Sequence, residues 1–303
     1  MFAQLKNGFG PRTAGFQSVG PSLWSGSEQR FRAICATKEN EVSVLDTIVA
    51  HANGLKLFGQ DYKPYWIMSD IAVVAAVAYA WAFSAHFSEV SGFGLVVALI
   101  VALMVYKLVL EIKAALGKTA ARSFLQDCLL VIIPTYLAVS LLFRQPLSLT
   151  FAFLGTLLPL YGGLARIGCF LGGCCYGNPS TSGVLYPRSI FESACQGKRR
   201  FSPSPNPGVR VFPIQLVEAG FQGTIFVMLV TLLWHAPQMA GAIFWMNLSL
   251  YALIRFVLDF YRTTSARPRY WLFSEAQWVC IALQVVSVTV LVHTWSALVH
   301  FAD

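Results

Sequence analysis

The stretch Tyr161–Gly177 reads YGGLARIGCFLGGCCYG and closes a long apolar run. It carries one arginine, Arg166, and three cysteines, Cys169, Cys174 and Cys175, among glycines. An arginine at membrane depth is expensive unless an anion or a polar cavity receives it. Packing of small residues against a neighbouring helix does not call for a charge. Arg166 therefore marks a site with an anionic partner, and the rest of the chain is expected to form a cage of helices around it. If the segment is helical, Arg166 and Cys169 share a face, with Gly173 one turn further. Cys174 and Cys175 then follow as the chain leaves the helix.

Composition points the same way. The chain has 303 residues, of which 56% are hydrophobic and only 12% charged; a soluble domain carries roughly 25% charged residues. Seven runs reach the roughly 20 apolar residues that a span requires: 65–87, 92–111, 123–143, 149–171, 213–235, 238–261 and 276–300. The expectation is an all-α integral membrane protein with about seven transmembrane helices over residues 65–303. A polar extramembrane leader, 1–64, precedes it, and a Pro/Arg-rich connection lies at 178–212. There is no second large domain, no internal repeat and no low-complexity tract. Nothing in the chain points to nucleic acid.

The leader is free of acidic residues as far as Glu28 and lacks the apolar core of a secretory signal. Residues 41–58, EVSVLDTIVAHANGLKLF, place apolar side chains at helical spacing and read as a helix on the membrane surface. Tyr65 and Trp66 suit the interface at the start of the first span. The 178–212 connection holds Pro179, Pro187, Pro203, Pro205 and Pro207, which argue against a long helix. Its basic residues, Arg188, Lys198, Arg199, Arg200 and Arg210, read as contacts for lipid headgroups or an acidic partner, or as a solvated face.

The seven cysteines do not form a secreted disulfide pattern. Cys128 and Cys280 fall inside spans and Cys35 is alone. Only Cys169, Cys174, Cys175 and Cys195 are close enough in sequence to cluster. There is no C-x-x-C pair, and the histidines are remote, so neither a metal site nor a cofactor is expected.

Polar residues inside the other spans are few and regularly placed. In FPIQLVEAGFQ, Gln215, Glu218 and Gln222 recur at three and four residues and form one polar face. In YALIRFVLDFYR, Tyr251, Arg255 and Asp259 are spaced four apart, with Arg262 at the exit. An Arg–Asp pair in a span turns inward, since lipid cannot satisfy it. It serves either as a structural ion pair or in contact with substrate.

Taken in order, ARIGCFLGGCCYG, FPIQLVEAG and YALIRFVLDFYR resemble the prolipoprotein diacylglyceryl transferase family over roughly residues 65–300. The resemblance implies a seven-span fold in the inner membrane. It implies transfer of a diacylglyceryl group from phosphatidylglycerol to the cysteine thiol of a peptide or protein, releasing glycerol phosphate without a cofactor. Arg166, Gln215, Glu218, Tyr251, Arg255 and Arg262 match the family, and Asp259 replaces a Glu. Family members commonly read G-R-x-x-N-F-x-N-x-E-x-x-G; here Cys169 stands at the first Asn, Gly172 at the second and Cys174 at the Glu. The place of the family's His-Gly-Gly falls near Gln126-Asp127-Cys128, so the histidine often assigned to thiol activation is missing.

The chemistry follows from the leaving group. Displacement at a glycerol carbon expels a phosphate, and an Arg fork stabilises the charge that develops there. Arg166 and Arg255 are assigned that work. The acceptor thiol must lose its proton; Glu218, Asp127 or a thiolate of Cys174 or Cys175 stands in for the histidine. Transient alkylation of Cys174 or Cys175 is the sharper form of the same idea. Cys169, Tyr176, Gln215, Tyr251, Asp259 and Arg262 are assigned to substrate binding. Two other classes stay open: a non-catalytic lipid- or peptide-binding protein on the same fold, and a thiol redox protein built on Cys169, Cys174 and Cys175. Eighteen of the 22 Lys and Arg residues fall on the side of the chain that carries the motifs, outside the spans. The positive-inside rule makes that side cytoplasmic, whereas the family implies that it faces outward.

Overall fold

The structure is a computed structural model that describes residues 43–53, 56–57, 60–61, 64–115, 128–190, 208–262 and 269–300. Most of the leader, Gln126, Asp127, Cys35, Cys195, Lys198, Arg199 and Arg200 lie outside the described residues.

A short helix α1 (Val44–Asn53) and a two-stranded hairpin (β1, Lys56–Leu57; β2, Gln60–Asp61) lead into α2 (Pro64–His86) and α3 (Gly92–Ala115). A π-helical turn, Cys128–Ile132, runs into α4 (Ile133–Leu142). Then come α5 (Leu147–Leu171), β3 (Pro179–Val184), α6 (Ile214–His235) and α7 (Ala240–Asp259). A second hairpin (β4, Arg269–Tyr270; β5, Phe273–Ser274) leads into α8 (Glu275–His300). The protein is a multi-span helical membrane protein. Helices α2, α3, α5, α6, α7 and α8 are long and apolar enough to cross a membrane, and Leu130–Leu142 is a shorter apolar helix in the place of the expected third span. Helices suit this setting because all their internal backbone groups pair within the segment. Val74, Met104, Val227 and Val285 point outward, each more than 60% exposed, as a lipid-facing surface allows.

Helix α5 is the hub, packing against α2, α6 and α7. Its N-terminal half is held by aromatic rings. Phe153 stacks on Tyr79 at 5.6 Å and meets Phe83 edge-on at 5.2 Å. The Tyr79 hydroxyl donates to Thr156 Oγ1 at 2.7 Å, so the one polar group on that ring is satisfied. Gly155 sets the approach of α5 to α7: a Cβ there would lie 2.6 Å from the Phe244 Cα, so the two backbones touch as small residues permit.

The connection after α5 is more ordered than its prolines suggest. β3 runs beside Val211 through bridges at Pro179 and Val184. Helix α1 docks its inner face on this connection. Ser43 and Asp46 exchange reciprocal side-chain-to-backbone hydrogen bonds, the geometry of a capping box. Asp46 also accepts the Leu185 N–H at 2.7 Å and pairs with Arg210 at 2.9 Å. Asn53 Nδ2 donates to the Leu171 carbonyl at the end of α5, at 2.7 Å. Arg210 is therefore no headgroup-facing cation: it is 5% exposed and spent on Asp46. Burial pushes the Asp46 carboxyl up, but the Leu185 and Ser43 N–H groups and Arg210 outweigh it and hold it below its ordinary value.

The start of α2, the end of α5, the start of α6, the end of α7 and the start of α8 all meet at one end of the bundle. Among the described residues, the motifs around Arg166, Glu218 and Arg255 come together there.

Candidate functional site

Glu218 stands one turn inside α6 and is 1% exposed. Three guanidinium groups converge on it from other elements. Arg166 Nε, from α5, lies 2.9 Å from Oε1. Arg262 Nη2, just past α7, donates to Oε2. Arg255 Nη1, from α7, lies 3.6 Å from the same oxygen, an ion pair beyond hydrogen-bond reach. Arg255 also pairs with Asp259 one turn on, at 3.5 Å, and Asp259 accepts the Ser274 hydroxyl at the start of α8, at 2.5 Å. Gln277 fixes Ser274 in turn, its amide oxygen accepting the Ser274 N–H at 2.9 Å.

Three cations share two carboxylates, so the cluster keeps one net positive charge inside the protein. Removing charge from water is costly and is offset only by close pairing. Here the pairing is incomplete: among the described residues Arg255 Nη1 and Arg262 Nε have no hydrogen-bond partner, and Glu218 Oε1 has the Arg166 ion pair but no hydrogen bond. The side chain of Arg166 is 22% exposed, against 4% and 6% for Arg255 and Arg262, so Arg166 is where the cluster meets its surroundings. The arrangement suits a phosphate, which guanidinium groups bind with paired donors.

The exit of α5 folds back over this cluster. The Gly172, Gly173 and Cys174 N–H groups donate to the Gly168, Phe170 and Cys169 carbonyls. Gly173 has φ +65° and Cys175 φ +56°, a left-handed backbone that is uncommon for a residue with a side chain. The two turns curl Cys174 and Cys175 back toward Cys169, and the three Sγ atoms lie within 4.8 Å of one another. All three are free thiols. Gln215 Nε2 holds the loop, donating to the Cys174 carbonyl at 2.8 Å. The neighbouring Cys169 and Cys174 thiols hold the Cys175 thiol well below its ordinary value; Arg166 and Arg262 add to this, and burial opposes it. Cys174 is pushed well up by Cys169 and Cys175, and burial adds to this.

The residues singled out in the sequence thus divide plainly. Arg166, Cys169, Cys174, Cys175, Gln215, Glu218, Arg255, Asp259 and Arg262 come together. Tyr251, one turn before Arg255, interacts electrostatically with Arg166. Tyr176 packs instead against the buried cluster that includes Phe170, Val184 and Tyr186. Three contributors escaped the sequence reading. Ser274 and Gln277 anchor Asp259, and no signal marked them. Tyr65, read as an interface anchor, sits in the electrostatic reach of Cys169, Cys174 and Arg166.

Comparison with known proteins bears on this end of the bundle. The family model for prolipoprotein diacylglyceryl transferase matches residues 127–293, just over half of the chain, and that range contains the whole charge cluster. A phosphatidylglycerol-prolipoprotein diacylglyceryl transferase of Clostridium tetani (strain Massachusetts / E88) is 27% identical over 132 residues, 42% of this chain and 46% of its own length. A second such transferase, from Clostridium perfringens (strain 13 / Type A), is 30% identical over 132 residues, 42% and 45% of the two lengths. One from Geobacter sulfurreducens is 27% identical over 111 residues, 36% of each. The chain spans about half the length, or less, of the curated relatives it matches.

Proposed function

The chain belongs to the prolipoprotein diacylglyceryl transferase family, and we propose that it is an inner-membrane enzyme that moves a diacylglyceryl group from an anionic phospholipid, phosphatidylglycerol, to a thiol of a peptide or protein. The observation that carries this reading is the convergence of three guanidinium groups on Glu218, with two of their buried N–H donors left without a hydrogen bond among the described residues.

Arg166 receives the lipid phosphate first, since it is the cation that reaches the surroundings. Arg255 and Arg262 supply the inner donors. The acceptor attacks as a thiolate, its proton having passed to water, and its sulfur bonds to the terminal glycerol carbon of the diacylglyceryl group. The bond from that carbon to the phosphate oxygen breaks, and the electron pair leaves on glycerol phosphate. Negative charge grows on the departing phosphate, where fixed cations in a poorly solvated site act most strongly. Glu218 is committed to three guanidinium groups, which makes it their orienting counter-ion and unsuited to accept the thiol proton. Gln215 and Asp259 position the machinery: one holds the cysteine loop and the other holds Arg255.

The test uses full-length protein in lipid with headgroup-labelled phosphatidylglycerol and a cysteine peptide. Release of labelled glycerol phosphate with a peptide heavier by one diacylglyceryl group is expected from wild type and is lost in Arg166→Ala. Lipid binding without release in wild type would contradict the transferase reading and leave a lipid-binding protein.

A further inference from the structure

We propose that Cys169, Cys174 and Cys175 form a site for one Zn2+ ion whose fourth coordination position receives the thiol of the acceptor. The sequence spacing gave no such expectation; the fold of the α5 exit supplies it.

The three sulfurs converge within 4.8 Å. Zinc takes thiolate sulfur at about 2.3 Å in a tetrahedral shell, which sets sulfurs about 3.8 Å apart. Rotation of the cysteine side chains has to close at most about 1 Å. All three donors are soft, the set that thiophilic ions prefer over Mg2+ or Ca2+. The grouping contains three ligands and no fourth among the described residues, the arrangement of a zinc centre that keeps one position for a reactant. Cys169 is buried, while Cys174 and Cys175 are part-exposed, so one side of the trio is open. The backbone is held in place for it. Cys175 keeps a left-handed conformation, and Gln215 clamps the Cys174 carbonyl; strained backbone of this kind persists where the surroundings over-determine it.

Charge is also in place. Three thiolates around Zn2+ carry one net negative charge. Arg166 and Arg262 both lie in electrostatic reach of Cys175 and offset it. The same arginines bind the leaving phosphate in the reading above, so a metal-bound acceptor would sit beside the lipid it attacks.

This inference rests on the proposed transfer, and it supplies what the missing histidine leaves open. A thiol that coordinates zinc gives up its proton to water on binding. Its sulfur then attacks the glycerol carbon, the carbon–oxygen bond to phosphate breaks, and the pair stays on phosphate. The product thioether is neutral, binds the metal weakly and leaves. Charge and atoms balance without any oxidant.

The experiment uses the full chain in phosphatidylglycerol-containing nanodiscs, stripped of metal under reducing conditions. Zn2+ is titrated against a chromophoric chelator, and Co2+ serves as the spectroscopic probe. One equivalent binds, with sulfur-to-cobalt charge-transfer bands. Cys169→Ser, Cys174→Ser and Cys175→Ser each weaken binding by about 100-fold or more, beyond the 10–100-fold cost of losing an outer-shell group. A variant without Cys35, Cys128, Cys195 and Cys280 keeps the full signal, which guards against misfolding in the single variants. A cysteine peptide shifts the cobalt bands and a serine peptide does not. Absence of one-equivalent binding in the variant that keeps only the three cysteines, with three thiols free, overturns the site. Bands that ignore the cysteine peptide overturn the acceptor role. Glycerol phosphate release that survives chelation overturns the metal's part and leaves the transferase reading standing; metal binding with no release in any condition does the reverse.

Discussion

The two halves of α5 show what different sequence patterns do in one helix. Toward Leu147, Phe153, Gly155 and Thr156 are sealed by rings and backbone from α2 and α7, and the Thr150 and Thr156 hydroxyls are both hydrogen-bonded, Thr156 also accepting from Tyr79. Toward Leu171, Arg166 meets a carboxylate it shares with two other arginines, and donors are left over. The hydroxyls that α5 itself contributes to the first half are satisfied, whereas the second half brings its arginine to a shared carboxylate where charged donors of α7 and its exit go without a hydrogen bond among the described residues.

Substitutions can break that contrast in order of size. Glu218→Ala should cost most, about 3–5 kcal/mol, because it leaves buried cations without their counter-ion; thermal unfolding in detergent should fall and glycerol phosphate release should vanish with it. Phe153→Ala should cost a similar or slightly smaller amount, about 3 kcal/mol or more, through the cavity it opens, while release per folded molecule stays at the wild-type level. Arg166→Ala should behave oppositely: release drops about 10²–10³-fold and the unfolding temperature barely moves, since the side chain is the most exposed of the three. Gln215→Ala should lose about 1–3 kcal/mol locally by leaving the Cys174 carbonyl without its donor; faster hydrogen exchange at Cys174–Gly177 measures it.

The smallest effect sharpens the contrast at the docked helix α1. The Asp46 carboxyl is held below its ordinary value in the folded protein. Its stabilisation is therefore complete above the unfolded value, about 4, and is lost as pH falls through the lower folded value. The protection factor of the Leu185 amide should stay level near neutrality and decline below about pH 4, and Asp46→Asn should flatten that decline.

The long helices were legible because length and apolarity alone define a span. Glu218 and the Arg255–Asp259 pair were legible because helical spacing puts them on one face. Arg166 announced itself by its cost in an apolar run. Contacts between remote segments left no such mark. Asp46 and Arg210 are 164 positions apart, and a basic residue in a proline-rich stretch gives no hint that it is buried. Ser274 reaches Asp259 only because a hairpin turns the chain back into α8. That Cys169, Cys174 and Cys175 could cluster was legible from their closeness along the chain, but how near their sulfurs come was not, because it depends on the left-handed backbone at Gly173 and Cys175.

The most direct test of the division of labour along α5 is labelled glycerol phosphate release measured beside thermal unfolding for Arg166→Ala and Phe153→Ala in the same lipid. The account predicts that Arg166→Ala cuts release about 10²–10³-fold and keeps the unfolding temperature, while Phe153→Ala keeps release per folded molecule and loses stability. Release that survives Arg166→Ala, or an unfolding loss there as large as that of Phe153→Ala, would contradict it.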